Sequence, residues 1–443
     1  MDATEPEGWP GVLHREGRTL CRLARNPNEL GAGPAAKEQG AVFHNPAMAG
    51  SRTRSVLLLQ HCIEAGLLGD GSIYALDGLS ATGLRARRWL NELPARSAAR
   101  ISATMGDMDP VALDWAMCCH EEFPTEHGEG ELLPHLGDLR KSVLEHGRHW
   151  VDIDPYGSPL PFLDTAIQSL ARRGVAEISA TDSAALTGSS KSALLRRYGA
   201  RVRTDGLAHD SGLRVLLATV ARTAARHERS IEPLLSIWDS HHLRVSVRVL
   251  RGVEGANNVE GSLGWRVASP TAKEVSSSIE SGLQPETSLD SLPMHCFLPL
   301  SHPVDRSDKR ISGPMWIGSV GRTEAMVSMT EERALELCGP NAIEDDPVGW
   351  LERDFEYERR RVTRSVRHIS EESGVIDAPH LILVDDLASW LGSGSPPSPS
   401  VMAEALRQAD HRAAVAHYGK PSFRTDAPWD DIVRTSREVH PPM

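Results

Sequence analysis

The stretch Ser72-Ile73-Tyr74-Ala75-Leu76-Asp77-Gly78-Leu79-Ser80-Ala81-Thr82-Gly83-Leu84-Arg85-Ala86-Arg87-Arg88-Trp89-Leu90 decides the fold. Residues 72–77 read as a strand that ends in a carboxylate, residues 78–83 as a tight turn of small residues, and residues 84–90 as the opening of a helix. Such a turn lets backbone N–H groups at a helix start come close to a ligand, because no bulky side chain stands in the way. The stretch is not a G-x-G-x-x-G and carries no Walker lysine. On its own it is equally an ordinary strand-to-helix turn.

Two further segments repeat the pattern. Residues 100–106 form a second strand candidate that runs into Asp107, thirty residues beyond Asp77. An acid closing the second strand of such a unit is placed to accept hydrogen bonds from ribose hydroxyls. A third apolar stretch ends in Leu136-Gly137-Asp138-Leu139, where Asp138 can take an adenine amine while the Leu139 backbone meets the ring. Each aspartate alone reads as a helix cap or turn residue. Three in register at strand ends point to an adenosine-type cofactor, since doubly wound sheets bind ligands at that edge.

The sharpest feature is Val151-Asp152-Ile153-Asp154-Pro155-Tyr156-Gly157-Ser158-Pro159. Proline stiffens the turn and removes a donor, so the Asp154 carboxylate and the Pro155 carbonyl can both face outward as acceptors. The amine of a nucleobase needs such acceptors, because its lone pair is delocalised into the ring. Two hydrogen bonds to its N–H groups restore nucleophilicity. Tyr156 offers a face on which the base can stack. Asp164, on the following helix, is read as a capping or pairing residue.

Composition bounds the rest. The chain has 443 residues, 40% hydrophobic and 24% charged, which suits a soluble protein of two domains. No run of 18 apolar residues occurs and the N-terminus is acidic, so neither a membrane span nor a signal peptide is expected. The six cysteines form no C-x-x-C pair and are read as reduced thiols, with no metal site expected. The net charge of −12 speaks against a nucleic-acid partner, yet cations cluster locally. Between Lys191 and Arg229 nine Lys or Arg residues face three acids, and Arg360, Arg364 and Arg367 recur at helical spacing. Glu352, Glu356 and Glu358 lie just upstream and can pair with that stripe, so a solvated face and an RNA contact weigh evenly.

Short strands alternate with helices from about residue 42 to 250, the sign of an α/β fold with a largely parallel sheet. Residues 252–313 are rich in Gly, Ser, Asn and Pro and read as loops and short strands. Beyond them helices are expected near 383–391 and 399–408, followed by a strand near 412–417, the order of a small winged-helix-like module.

Taken together, these blocks resemble the tRNA (guanine-26, N2) dimethyltransferase family. Phe43-His44-Asn45-Pro46-Ala47-Met48 with Arg52 is similar to that family's F-Y-N-P-x-M…N-R-D. Residues 77–85 resemble its D-A-L-S-A-T-G-x-R loop, residues 152–159 its D-x-D-P-F-G-S-P, and residues 180–188 its A-T-D-x-A-x-L-C-G. Residues 195–199, 231–236, 313–318 and 425–429 fit as well. Thr53, Gly50-Ser51, Gly106 and Tyr156 depart from the pattern.

The resemblance implies a Rossmann-like class I methyltransferase domain over 41–250, preceded by an N-terminal extension over 1–40. A connecting region over 251–313 and a smaller α+β, tRNA-binding domain over 314–443 would follow. It implies S-adenosyl-L-methionine as cofactor, tRNA as partner, and a cytoplasmic monomer. Asp154 would accept the guanine amine with Pro155 assisting, and Tyr156 would hold the base. Arg52 would take the cofactor's carboxylate, aided by Arg85, with Asp77 and Phe43 lining the pocket. Asp107 would bind ribose, and Asp138 with Leu139 adenine. Arg196, Arg197, Arg360, Arg364 and Arg367 are the expected RNA contacts. The family's zinc-binding members carry paired cysteines in the connecting region, where this chain has only Cys296.

Three other readings remain. A DNA adenine or cytosine amino-methyltransferase would do the same chemistry on a flipped base. A non-catalytic RNA-binding protein could retain a decayed domain, against which Asp107, Asp138 and Asp154 argue. A dinucleotide oxidoreductase lacks its glycine fingerprint.

Overall fold

In the computed structural model, residues 5–25, 42–125, 127–239 and 242–439 are described. The strands are β1 (Val12–Glu16), β2 (Thr19–Leu23), β3 (Ile73–Asp77), β4 (Ile101–Asp107), β5 (Glu131–Leu136), β6 (Arg148–Ile153) and β7 (Leu170–Ala180). They continue with β8 (Arg229–Asp239), β9 (His242–Arg251), β10 (Leu263–Ala268), β11 (His295–Pro299) and β12 (Ile311–Trp316). The last three are β13 (His380–Leu383), β14 (Ala413–Val415) and β15 (Ser422–Thr425). The chain forms two units: Met1–Asp154 with Thr165–Glu177 and Ser328–Arg367, and Pro155–Asp164 with Ile178–Val327 and His368–Met443.

The first unit is built on a sheet of order β5-β4-β3-β6-β7. Its β3–β4, β3–β6 and β4–β5 pairs are parallel, so the fold is α/β as the alternation requires. Buried runs such as Ile73, Ala75 and Leu76 in β3 explain why both faces are covered. Two of the crossover helices start on an aspartate cap. Asp109 caps Pro110–Glu122 by accepting from the Val111 N–H at 3.0 Å, and Asp138 caps Leu139–Glu145 through the Arg140 N–H at 2.9 Å.

The N-terminal extension holds a hairpin. β1 and β2 pair antiparallel around a two-residue turn in which Gly17 has φ +59°. Cys21 and Leu23 of this hairpin pack with Leu84, Ala112 and Trp115. The helix Leu84–Glu92 carries three arginines that are all buried, against their usual preference for solvent. The hairpin and neighbouring carboxylates explain it. Arg87 donates to the Leu20 carbonyl at 2.8 Å, and Arg88 pairs with Glu16 at 2.9 Å and Glu92 at 2.7 Å.

In the second unit β8 and β9 form a long antiparallel pair with a bulge between Pro233 and Leu235, covered by the helix Ala208–Ala225. Residues 252–313 are more ordered than their composition suggests. They supply β10, β11 and the start of β12, an antiparallel sheet of order β11-β10-β12. They also supply the helix Ala272–Glu280, which opens on a Thr271–Glu274 capping box. Trp265, Val267 and Leu298 make that sheet a small core of its own.

Further on, β13 is followed by the helices Val384–Leu391 and Pro399–Gln408, then β14 and β15, a sheet of order β13-β15-β14. Leu387, Met402, Leu406, Phe423 and Trp429 fill the space beneath. No helix among the described residues is long and apolar enough to cross a membrane.

Candidate active site

The carboxylates expected at strand ends lie along one edge of the first unit's sheet. Asp77 pairs in register with Met105 and Asp152, and Asp107 with Leu136. Loops after the strands are laced together behind that edge. The Gly78 N–H donates to the Asp152 carbonyl at 3.1 Å, Ser80 to Gly106 at 3.0 Å, and Gly137 to Asp107 at 2.8 Å.

Backbone packing explains the glycines of the first loop. A Cβ on Gly78 would lie 2.4 Å from Leu139 Cδ1 and 2.9 Å from the Asp152 carbonyl oxygen, so only hydrogen fits there. Gly83 has φ +65° and a Cβ would meet Met105 Sδ at 2.3 Å. Leu139 itself is buried. Asp107 orders the loop as well as facing the edge, since its carboxylate accepts from the Ala81 N–H at 2.9 Å and the Asp109 N–H at 3.0 Å. Asp138 is held by Arg140 at 2.5 Å. This side chain, with the Arg140 N–H, lowers its pKa to about 2, so it remains an ionised acceptor.

Arg85 lies in the first turn of Leu84–Glu92 and points along the sheet edge. Its Nη2 is 2.6 Å from Asp154 Oδ2 and its Nε 3.5 Å from Asp152 Oδ1. Asp152 is fully buried, and the Asp154 side chain is 16% exposed, enough to meet a ligand yet little enough for the pair to be strong. The guanidinium therefore orients the two aspartates of the Asp-x-Asp-Pro turn.

Arg52 sits in the helix Ala49–Glu64 with its guanidinium against Glu16, at 2.6 Å from Nε and 2.5 Å from Nη2. Nη2 also donates to the Asn45 carbonyl at 3.1 Å. Burial alone would raise the Glu16 carboxyl, but Arg52 and then Arg88 outweigh it and hold it well below the usual range. Phe43 is half-buried just before the turn Pro46–Met48, which Asn45 caps.

Glu16 was not singled out in the sequence, and His44, which is buried, and Asn45 were quoted only as members of the family-like block, with no role assigned. The alternating apolar pattern around Gly17 was the signal that could have exposed the hairpin. His14, Glu16 and His44 bring possible ligand atoms within 4.8 Å of one another. Glu16 is already committed to two guanidinium groups, so a cation would have to displace them.

In the second unit Pro155 is buried and Tyr156 is 60% exposed. The turn is fastened by its neighbours. The Gly157 N–H donates to Thr181 Oγ1 at 2.6 Å, and the Thr181 N–H to the Gly157 carbonyl at 2.9 Å. Ser158 Oγ lies 2.9 Å from the Tyr198 hydroxyl, which donates to Asp182, also at 2.9 Å. Asp164 pairs with His227 at 2.9 Å.

Of the expected RNA contacts, Arg196 is exposed, whereas Arg197 is paired with Asp182 at 3.0 Å. In the first unit the helix Glu352–Arg364 carries Arg360, paired with Glu356 at 3.4 Å, and the exposed Arg364. Arg367 is exposed but follows the end of that helix, so the three arginines do not form one continuous helical stripe.

The family profile described as N2,N2-dimethylguanosine tRNA methyltransferase matches residues 28–437. A tRNA (guanine(26)-N(2))-dimethyltransferase of Thermococcus kodakarensis is 28% identical over 408 residues, 90% of this chain and 93% of that one. Its namesake in Aeropyrum pernix is 29% identical over 95% of each chain. That of Thermoplasma acidophilum reaches 38% over 191 residues, 43% of this chain and 52% of its own. The structure of Trm1 from Pyrococcus horikoshii with S-adenosyl-L-methionine superposes with a TM-score of 0.72 at 24% identity, covering 96% of this chain and 99% of that one, which shows the shared fold. The DNA methyltransferase and oxidoreductase readings fall away. With the profile spanning nearly the whole chain, the protein belongs to the N2,N2-dimethylguanosine tRNA methyltransferase family.

Proposed function

We propose that this protein is an S-adenosylmethionine-dependent tRNA (guanine(26)-N2)-dimethyltransferase. The observation that carries the reading is the Arg85–Asp154 pair at 2.6 Å, on the same sheet edge as Asp107 and the Gly78 loop. The residues present fit an adenosine. Asp107 offers acceptors to the ribose, Leu139 packs on the loop at Gly78 beside the adenine position, and Asp138 stays ionised beside it. Asp77, Phe43 and Arg52 would complete the site around the cofactor's methionine end. Arg52 Nη1, the nitrogen not turned to Glu16, is the one left for the cofactor's carboxylate.

When bound, S-adenosylmethionine supplies an electrophilic sulfonium methyl group. The chain's own residues prepare the nucleophile. The Asp154 carboxylate, fixed by Arg85, and the Pro155 carbonyl accept from the guanine N2–H groups and restore the nitrogen lone pair. Tyr156 stacks on the base. Orientation and exclusion of water supply most of the acceleration. The proton lost from nitrogen is held at the Asp154 carboxylate. After one methylation an N–H remains for the same acceptors, so a second round uses the same geometry.

Arg196, Arg364 and Arg367 are exposed cations available to phosphates, and the strand–helix–helix–hairpin order from β13 to β15 suits a winged helix that meets RNA. All six cysteines are buried thiols, which suits a protein working in a reducing cytoplasm. The test is incubation with labelled cofactor and unmodified tRNA transcripts, followed by nucleoside mass spectrometry. N2,N2-dimethylguanosine at position 26 is expected; methyl groups only on adenine or cytosine, or none at all, would overturn the assignment.

A further inference from the structure

The second unit contains a cavity of about 550 Å³ to which none of the cofactor and catalytic residues above belongs. Lys191, Arg201, Arg203, Arg306 and Lys309 line it, with Asp308 as the one acid. Asp308 is not available to neutralise them. Arg310 grips it at 2.7 Å, and its other oxygen accepts from the Arg310 N–H at 2.8 Å.

The arginines are fixed at the wall: Arg201 donates to the Arg306 carbonyl at 2.8 Å and Arg203 to the Lys309 carbonyl at 3.4 Å. Arg203 also lies 3.4 Å from Asp205, and Arg306 stacks over Trp265 at 5.5 Å. Lys191 and Lys309 are exposed and form no ion pair among the described residues. Beneath them the floor is aliphatic: Leu194, Val202 and Ile311 are buried, and Leu195 stands 49% exposed.

A rim of cations over an apolar floor matches a nucleotide, whose phosphate seeks charge and whose base seeks an apolar face. That such a rim persists in a chain of net charge −12 marks it as a local device and not general basicity.

Its position points to RNA. The helix Lys191–Tyr198 opens into the cavity at Lys191 and, about 12 Å further on, meets Ser158 through Tyr198. Ser158 belongs to the turn that follows Asp154. We infer that this cavity seats a nucleotide of the substrate tRNA near the target guanine, its phosphodiester held by Lys191, Arg201, Arg306 and Lys309. The inference rests on the proposed tRNA substrate and adds a site that fixes the strand while the base is presented.

The experiment measures tRNA affinity over a series of salt concentrations for the wild type, Lys191→Ala/Lys309→Ala and Leu195→Asp. All three changes are at exposed positions, and thermal melting checks that folding is retained. We expect both variants to bind tRNA roughly tenfold more weakly, and the double variant to reduce the slope of log affinity against log salt by about 1–2. Cofactor affinity should stay at the wild-type value. Unchanged tRNA affinity and slope in both variants would overturn the site. So would loss of guanosine monophosphate binding with tRNA affinity intact, which would make it a free-nucleotide site. If the wild type methylates guanine while the variants bind normally, the cavity reading fails alone. If the variants lose tRNA binding but the wild type methylates no guanine, the function reading fails and the cavity stands.

Discussion

Replacing Asp154 by asparagine tests the role of Arg85 more sharply than replacing it by alanine. A carboxylate has two acceptor oxygens and an amide has one, the other position being a donor. In the protein Arg85 Nη2 engages Asp154 Oδ2 at 2.6 Å. In Asp154→Asn, Arg85 and the guanine amine compete for a single oxygen. A hydrogen bond from a charged donor contributes about 1.5–3 kcal/mol and a neutral one about 1 kcal/mol, so Arg85 should win by roughly 0.5–2 kcal/mol. That preference turns the amide oxygen to Arg85 in about 70–97% of molecules, and the amide NH2 then faces the substrate amine, donor against donor. The rest keep an acceptor towards the amine, so kcat should fall about 3- to 30-fold, against about 10²–10³-fold for Asp154→Ala, the size of effect seen when one oriented group is lost from a site of developing charge. Cofactor affinity should be little changed. The assay is single-turnover methylation of an unmodified tRNA transcript at saturating cofactor. An asparagine variant as fast as the wild type would refute the reasoning, because it would mean that Arg85 does not command the orientation of residue 154.

Asp107→Ala should weaken cofactor binding by about 1–3 kcal/mol, roughly 5- to 150-fold, because the Ala81 and Asp109 N–H groups lose their acceptor along with the ribose; calorimetric titration gives the value, and an unchanged affinity would remove Asp107 from the site. Glu16→Gln leaves Arg52 and Arg88 buried without their shared countercharge, so denaturant unfolding should show a loss of about 3–5 kcal/mol. Acid should destabilise the fold early, since burial lowers His44 to about 3, His380 to about 4 and His295 well below its usual value. Unfolded imidazole takes up a proton near pH 6.5 that the folded chain refuses, so this stability is present above that pH and lost as pH falls. Between pH 7.5 and 5.5 the loss is about 1.4 kcal/mol per histidine and about 4 kcal/mol for the three, and a flat unfolding free energy over that range would contradict it.

The sheet edge was legible because its determinants are local. β3 and β4 end in an aspartate, and β6 holds Asp152 as its penultimate residue with Asp154 just beyond it, so strand, turn and candidate carboxylate are neighbours in sequence. The arginines were not legible in the same way. Arg85 and Arg52 were both expected at the cofactor's carboxylate, yet one reaches Asp154, 69 residues away, and the other Glu16, 36 residues away. A long side chain with five donors takes whichever acid the tertiary structure brings near, and no spacing rule encodes that choice. The connecting region was read as loops and short strands, and it was the pairing of those strands and the helix Ala272–Glu280 that the reading missed, for a different reason. Its strands hold apolar residues in runs as short as His295–Pro299, between Gly- and Ser-rich turns, and antiparallel pairing needs partners that lie far apart in sequence. The cavity beyond Lys191 combines both difficulties, drawing its cations from residues 191–203 and 306–309. Counting charge along the chain favoured Arg197 and Arg360, which the structure pairs with Asp182 and Glu356. Cations spoken for by carboxylates are poor candidates for phosphate, and the unpaired ones at Lys191 and Lys309 become apparent only once the acids have been assigned.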